Sequence, residues 1–391
     1  MISVSRLLCG AKYFGDSLRY KADSGAQRHG AAAGHGPVVV WNMTRTCNLR
    51  CMHCYAGSDE QLAPDQLTNA EAIKFIDQLA GFKVPVILFS GGEPLLREDF
   101  FNLAEYAGSK GIRTTLSTNG TLITPDIAKD IKRLGISYVG ISLDGIGSDN
   151  DRFRGRKGAF DAALEGIRAC RAIEQRVGLR FTINRHNYHQ MPDIFKLIQE
   201  EDIPRVCFYH LVYSGRGSEM RDEDISHAET RAALDLIIDK TKDFHQRGLN
   251  KEILTVDNHA DGIYIHLSLL KTDPDRAARV RELLRMNGGN RSGVAIGAVD
   301  WAGNVYPDQF TRGHLLGNVR ERPFSEIWQD TGQPVLRGLK DRKPLLTGRC
   351  ASCRWLSMCN GNFRARAEAV YGDFWAPDPA CYLTDGEIKQ E

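Results

Sequence analysis

Between residues 38 and 212, short apolar runs alternate with longer stretches in which apolar positions recur every three or four residues. The runs VVVW (38–41), VPVILFS (84–90), RTTLST (113–118), SYVGISLD (137–144), LRFTI (179–183) and VCFYHLV (206–212) read as strands. The stretches 68–80, 98–110, 124–134, 158–175 and 190–201 read as amphipathic helices. Apolar strands separated by helices need cover on both faces, which a parallel sheet wrapped by helices supplies. The pattern predicts an α/β fold, a partial (β/α)6 TIM-like barrel with its chemistry where loops converge at the C-terminal strand ends.

The rest of the chain breaks this rhythm. Residues 20–36 (YKADSGAQRHGAAAGHG) are rich in Gly, Ala and polar residues and read as a flexible lead-in, so 1–36 is expected to precede a barrel spanning 37–225. Helices over 226–248 and 260–287 predict a helical connection across 226–290. The segment SGVAIGAVDWAGNVYPDQF (292–310) reads as a hairpin turning at Trp301-Ala302-Gly303-Asn304. It opens a C-terminal unit, 291–391, whose tail has too little apolar material for a core of its own and is expected to be ordered by a metal centre.

Charge narrows the choice of partners. A formal net charge of +2 gives no electrostatic case for nucleic acid or a membrane surface, and no apolar run approaches the roughly 18 residues of a span. The opening MISVSRLLCG imitates a lipoprotein signal ending at Cys9, but its apolar stretch is too short and Arg6 interrupts it. A cytoplasmic protein is expected, in which the ten cysteines are reduced and serve metal binding or catalysis. Seven fall in two groups: Cys47, Cys51 and Cys54, then Cys350, Cys353, Cys359 and Cys381. Cys9, Cys170 and Cys207 stand alone and read as buried, inert thiols.

Cys47-x3-Cys51-x2-Cys54 follows the first strand directly. Three thiolates on one loop can bind three irons of a cubane and leave the fourth iron open to a ligand. The competing reading is a zinc site with His53 as fourth ligand. With Tyr55 as the trailing aromatic, this loop resembles the signature of the radical S-adenosylmethionine (SAM) superfamily, and the resemblance spans roughly residues 37–215. Ser90-Gly91-Gly92-Glu93-Pro94 resembles the element that supports the amino group of SAM, with Glu93 placed to accept from an ammonium. Ser117-Thr118-Asn119-Gly120 and Ser142-Leu143-Asp144-Gly145 resemble segments that contact its ribose and carboxylate, and Arg154 resembles the arginine pairing with that carboxylate. The resemblance implies a [4Fe–4S] cluster, SAM, a 5′-deoxyadenosyl radical and an external one-electron donor of flavodoxin or ferredoxin type.

The second group, Cys350-x2-Cys353-x5-Cys359-x21-Cys381, resembles the SPASM-type auxiliary cluster domain, which implies a second [4Fe–4S] cluster ligated by all four. A full domain of that family carries a further cluster, but Phe363 and Asp308 stand where two of its ligands belong. One auxiliary cluster is therefore expected, with a zinc tetrathiolate as the alternative. LLCGAKYFGDSLRY, GISLDG, GLRFTINRHN and FYHLVYSGRG further resemble the branch that modifies iron tetrapyrroles in haem and haem d1 synthesis. The opening block is most similar to members that remove two acetate side chains from 12,18-didecarboxysirohaem to give iron-coproporphyrin III. Two side chains imply two rounds of SAM cleavage. Removal of propionates, decarboxylation of iron-coproporphyrin to haem b, peptide maturation and a zinc-stabilised scaffold are the alternatives. A polycarboxylate substrate suits arginines. Arg216 is the first candidate, with Arg185 and Arg312 behind it, and His210 and Tyr213 as neighbours of the macrocycle.

Overall fold

The computed structural model describes residues 1–20 and 36–389. Among these, eleven strands form one sheet: β1 (Ile2–Ser3), β2 (Val38–Asn42), β3 (Val86–Ser90), β4 (Arg113–Thr118), β5 (Val139–Ser142), β6 (Val177–Ile183), β7 (Arg205–His210), β8 (Glu252–Val256), β9 (Ile296–Val299), β10 (Asn304–Tyr306) and β11 (Gly317–Asn318). Their order is β1-β8-β7-β6-β5-β4-β3-β2-β9-β10-β11. From β2 to β8 every neighbour is parallel, and spatial order follows chain order. A helical crossover after each strand to the adjacent position produces this winding. The terminal strands β1 and β11 do not pair with each other, so the barrel is open.

All six expected strands are present, each displaced by no more than a few residues, and two of the helices between them begin at a side-chain cap. Thr68 and Glu71 form a reciprocal capping box at the start of Asn69–Gly81, and Thr124 caps Pro125–Arg133 with proline in its first turn. Trp41 packs edge-on against Phe75, with ring centroids 5.1 Å apart, and Phe208 meets Phe195 at 5.2 Å, joining strands to the covering helices.

Three features depart from the sequence reading. A seventh parallel strand, β8, lies inside the stretch read as helical and is buried along its whole length. Its five residues are too few to show a period, and pairing with β7 decides their conformation. The first residues are also ordered: β1 pairs antiparallel with β8, and the hydroxyl of Ser5 donates to Lys251 O and accepts from Ile253 N, both at 2.9 Å. The expected flexible lead-in falls almost wholly outside the described residues. The helix expected over 260–287 is two, Ala260–Leu270 and Pro274–Asn287, because Pro274 has no N–H to give and Asp273 caps the second by accepting from Arg276 N.

The expected hairpin forms, with β9 antiparallel to β10 and Gly303 at φ 84° in its turn. It is continuous with the barrel sheet, since β9 runs parallel beside β2. The cysteine-rich tail winds through short helices, and its Trp355, Met358, Tyr382 and Leu383 join the apolar core of the barrel. A buried ion pair fastens it. Arg366 donates to Asp378 through Nε (3.0 Å) and Nη2 (2.8 Å), and also to Leu211 O and Asp257 O, just beyond β7 and β8. Among the described residues, no helix is long and apolar enough to cross a membrane.

Candidate functional site

The loop carrying Cys47, Cys51 and Cys54 leaves the C-terminal end of β2. Cys47 N donates to Asp59 O at 2.7 Å, and Cys54 N to Cys51 O at 3.4 Å, folding the loop back on itself. Arg50 N and Met52 N donate to Arg154 O and Phe153 O, at the end of the helix Ser148–Arg154. All three thiols pack with Leu49 and Ala159. Burial pushes the Cys47 thiol up to about 12 and raises that of Cys51. Thiols crowded in apolar surroundings resist ionisation, and bound cations reverse that preference. Three thiols packed together on one loop can ligate an iron cluster, which would favour their thiolate forms.

The Gly91-Gly92 turn lies directly against this loop. A Cβ on Gly91 would come within 2.4 Å of Thr44 O, and one on Gly92 within 2.1 Å of Thr46 O. Only glycine permits that approach, which lets Gly92 N and Glu93 N donate to Thr44 O (2.7 Å) and Thr46 O (2.8 Å). Glu93 does not face the cavity as the sequence reading placed it. Its carboxylate accepts from Leu95 N (3.2 Å), Thr118 Oγ1 (2.7 Å) and Asn119 N (2.8 Å), tying β3 to β4. Burial pushes its pKa up to about 7. Pro94 is likewise buried, opening a 3-10 turn.

Ser90, Gly91, Gly92, Ser117, Thr118, Asn119, Ser142 and Arg154 do converge, together with the three thiols and Tyr55, on one cavity at the C-terminal strand ends. Tyr55 OH donates to Asn42 Oδ1 (2.9 Å) and lies 3.0 Å from Ser90 Oγ. Arg154 approaches Cys51 Sγ at 3.5 Å through Nη1 and pairs with Asp144, which is also 3.2 Å from His53 Nε2. Asp144 Oδ1 accepts from Thr182 N at 2.8 Å. Asp144 thus orients Arg154 from behind the wall.

His53, Ser58, Arg154, Arg180 and Gln309 line the cavity, and each has a buried polar atom without a hydrogen-bond partner. Buried polar groups are nearly always satisfied, so this set fits a polar ligand such as SAM. The sequence reading missed Arg180, Thr182, Asp257 and Gln309 as cavity residues. Arg180 alone left a signal, as a charge inside an apolar strand.

The substrate candidates separate. His210 lines the cavity at the end of β7, its Nε2 2.9 Å from Asp261 Oδ2. Burial opposes its charge, but the Asp261 carboxylate prevails and raises its pKa. Tyr213 turns away to donate to Asp224 Oδ2 at 2.7 Å. Arg185 donates to Asp224 O, and Arg312 lies over the Trp301 ring. Arg216, the first candidate, has another task. Its Nε donates to Cys51 O and its Nη1 to Ser58 O, both at 2.9 Å, and its own N–H donates to Cys54 O. It braces the cysteine loop. Two guanidinium bonds are each worth about 1.5–3 kcal/mol, so Arg216→Ala is expected to lower iron retention and SAM binding together. Full iron content in that variant would remove the brace.

In the tail, the Cys359 thiol is raised by burial and by Cys381, Cys350 and Cys353, so the four lie within electrostatic reach. Cys353 N donates to Cys350 O at 3.3 Å and Cys381 N to Asp378 O at 3.1 Å. Asp308 caps its own turn, accepting from Phe310 N and Thr311 N at 2.8 Å. Phe363 packs with Val212 and Phe310. Neither position offers a ligand. All ten cysteines are free; Cys170 and Cys207 are buried and Cys9 is partly so.

Comparison with known proteins agrees with this geometry. Residues 41–214 match the radical SAM superfamily, and 295–354 match an iron-sulfur cluster-binding domain. The chain is 56% identical over 394 residues to an Fe-coproporphyrin III synthase of Methanosarcina barkeri, covering 99% of each. It is 44% identical to a pre-heme d1 synthase of Dinoroseobacter shibae, over 90% of this chain and 87% of that one. In fold it matches Streptococcus suis SuiB, bound to a precursor peptide, with a TM-score of 0.71 at 18% identity, over 90% of this chain and 76% of that one. It also matches anSMEcpe, bound to AdoMet and a peptide, with a TM-score of 0.67 at 19% identity, over 88% and 93%.

Proposed function

The chain belongs to the radical SAM superfamily, an enzyme using SAM, a [4Fe–4S] cluster and a further iron–sulfur cluster, and on that footing we propose that it removes the two acetate side chains of 12,18-didecarboxysirohaem to give iron-coproporphyrin III. The full-length 56% identity to an Fe-coproporphyrin III synthase carries this reading. In it, Cys47, Cys51 and Cys54 ligate the first cluster, and Cys350, Cys353, Cys359 and Cys381 the second.

Held by Cys47, Cys51 and Cys54 and reduced by a flavodoxin- or ferredoxin-type donor, the first cluster together with SAM would supply the radical chemistry that starts side-chain removal. The chain's own residues prepare that event. Gly91 and Gly92 bring backbone close to the amino end of SAM, and Glu93 fixes that turn by gripping Thr118 and Asn119. Ser117, Asn119 and Ser142 offer polar contacts to the ribose and carboxylate, while Asp144 aims Arg154 at the same carboxylate. Tyr55, packed on Phe310 at 5.1 Å, closes one side of the cavity to water. His210, held by Asp261, and the apolar Leu211 and Val212 face the macrocycle.

The test is anaerobic turnover of didecarboxysirohaem with SAM and reductant, followed by mass spectrometry. Loss of two acetates is expected. Loss of two propionates would instead assign the haem d1 branch, and an unchanged tetrapyrrole would end the proposal.

A further inference from the structure

Asp257 follows β8 directly and lines the same cavity, on the wall formed with Tyr209 and His210 at the end of the neighbouring strand. Its side chain is buried, yet no hydrogen-bond donor reaches its carboxylate among the described residues. The charged and titratable groups around it make their side-chain hydrogen bonds elsewhere. His210 on β7 is bound to Asp261, which also accepts from Tyr382. Arg366 in the tail is spent on Asp378 and on two carbonyls, one of them Asp257 O at 2.6 Å. Asp308 after the hairpin caps its own turn, and the Met1 amino group, 3.4 Å from His259 Nε2, makes no hydrogen bond to Asp257 but is the main charge opposing the effect of burial on its carboxyl. The backbone of Asp257 is held at φ 67°, a left-handed conformation that carries a steric cost for any side chain, least for Asn and Asp. Such conformations persist where the surroundings enforce them, and they gather at functional sites. A buried carboxyl group without a partner, held against its own backbone preference and open to a ligand cavity, is a group waiting for a ligand.

We propose that Asp257 contacts the tetrapyrrole substrate and donates a hydrogen bond to one of its side-chain carboxylates. The inference rests on the function proposed above. Burial supports it by pushing the Asp257 carboxyl up to about 7, so that the group holds a proton to donate under mildly acidic conditions. A substrate carboxylate accepting that bond favours the neutral acid further. Above that range Asp257 ionises, the donor is lost and two like charges oppose each other.

Titration of didecarboxysirohaem into anaerobically reconstituted holoenzyme, followed by absorbance at about pH 6 and about pH 8.5, tests this. Wild-type affinity is expected to fall roughly ten- to a hundredfold between the two, the size expected for one bond to a charged acceptor. Asp257→Asn tolerates the left-handed backbone and donates without titrating, so its affinity is expected to stay level. Asp257→Ala is expected to bind about tenfold or more weaker than wild type at the lower pH, with SAM binding unchanged in both variants as the check on folding. Equal affinity of Asp257→Ala and wild type at the lower pH overturns the proposal. An Asp257→Asn profile falling like that of wild type also overturns it, since the titration then belongs to another group such as His210. If wild type binds at neither pH, the tetrapyrrole reading falls and this role with it. Failure confined to the variants falls on Asp257 alone.

Discussion

Protein with Cys47, Cys51 and Cys54 all replaced by alanine is expected to keep about half the iron of wild type after anaerobic reconstitution and to lose reductive SAM cleavage completely. Two cubanes hold about eight irons, and the two sets of thiols sit on separate elements. The first set packs with Leu49 and Ala159 beyond β2. The second set is carried by the tail, whose Cys353, Cys359 and Cys381 pack against the main core. The converse variant, Cys359→Ala, should leave SAM cleavage measurable while suppressing the tetrapyrrole product. Iron and sulfide analysis with a 5′-deoxyadenosine assay reads both. Complete loss of iron from the triple variant would show that the sites are not independent, and zinc in the second site of anaerobically purified protein would remove the auxiliary cluster.

Arg366→Ala is expected to produce the largest loss of stability of any single side-chain truncation in the tail. The guanidinium is fully buried, binds both oxygens of Asp378, and satisfies the carbonyls of Leu211 and Asp257. Removing one partner of such a pair strands a buried charge, at a cost of about 3–5 kcal/mol. Asp378 also accepts from Phe363 N and, through its carbonyl, from Cys381 N, so the damage should reach the second cysteine group first. A chemical-denaturation midpoint lowered accordingly, with iron lost from the tail before the barrel, is the expected result. A shift worth less than about 1 kcal/mol would mean that the pair contributes no more than an exposed one.

Much of this protein is legible in one dimension. The strand–helix alternation is visible because each buried strand must be apolar and each covering helix must be apolar along one stripe. The spacing of Cys47, Cys51 and Cys54 is legible because ligands on one loop must be neighbours in sequence. Glycines at 91 and 92 are legible through the resemblance of Ser90-Gly91-Gly92-Glu93-Pro94 to its family element, and the structure supplies the reason, since a Cβ at either would strike a carbonyl. Their neighbours were less so. Arg216 looked like a substrate contact because it follows the sixth expected strand, and its binding to Cys51 O and Ser58 O, over 150 residues away, leaves no trace in local pattern.

The sequence by itself therefore determined the fold class, the two groups of cysteines, and the order of the glycine, serine and asparagine segments around the cavity. The first two depend on local periodicity and on spacing within a loop; the third follows from the resemblance of those segments to the radical SAM superfamily. Tertiary structure alone decided the direction in which each charged side chain is spent. It turned Glu93 onto Thr118 and Asn119, Arg216 onto the cysteine loop and Arg366 onto Asp378, and it left Asp257 facing the cavity without a donor. The physical reason is that a buried charge takes whichever partner the packing of distant strands places within about 3 Å, and that distance is set by the sheet rather than by the chain.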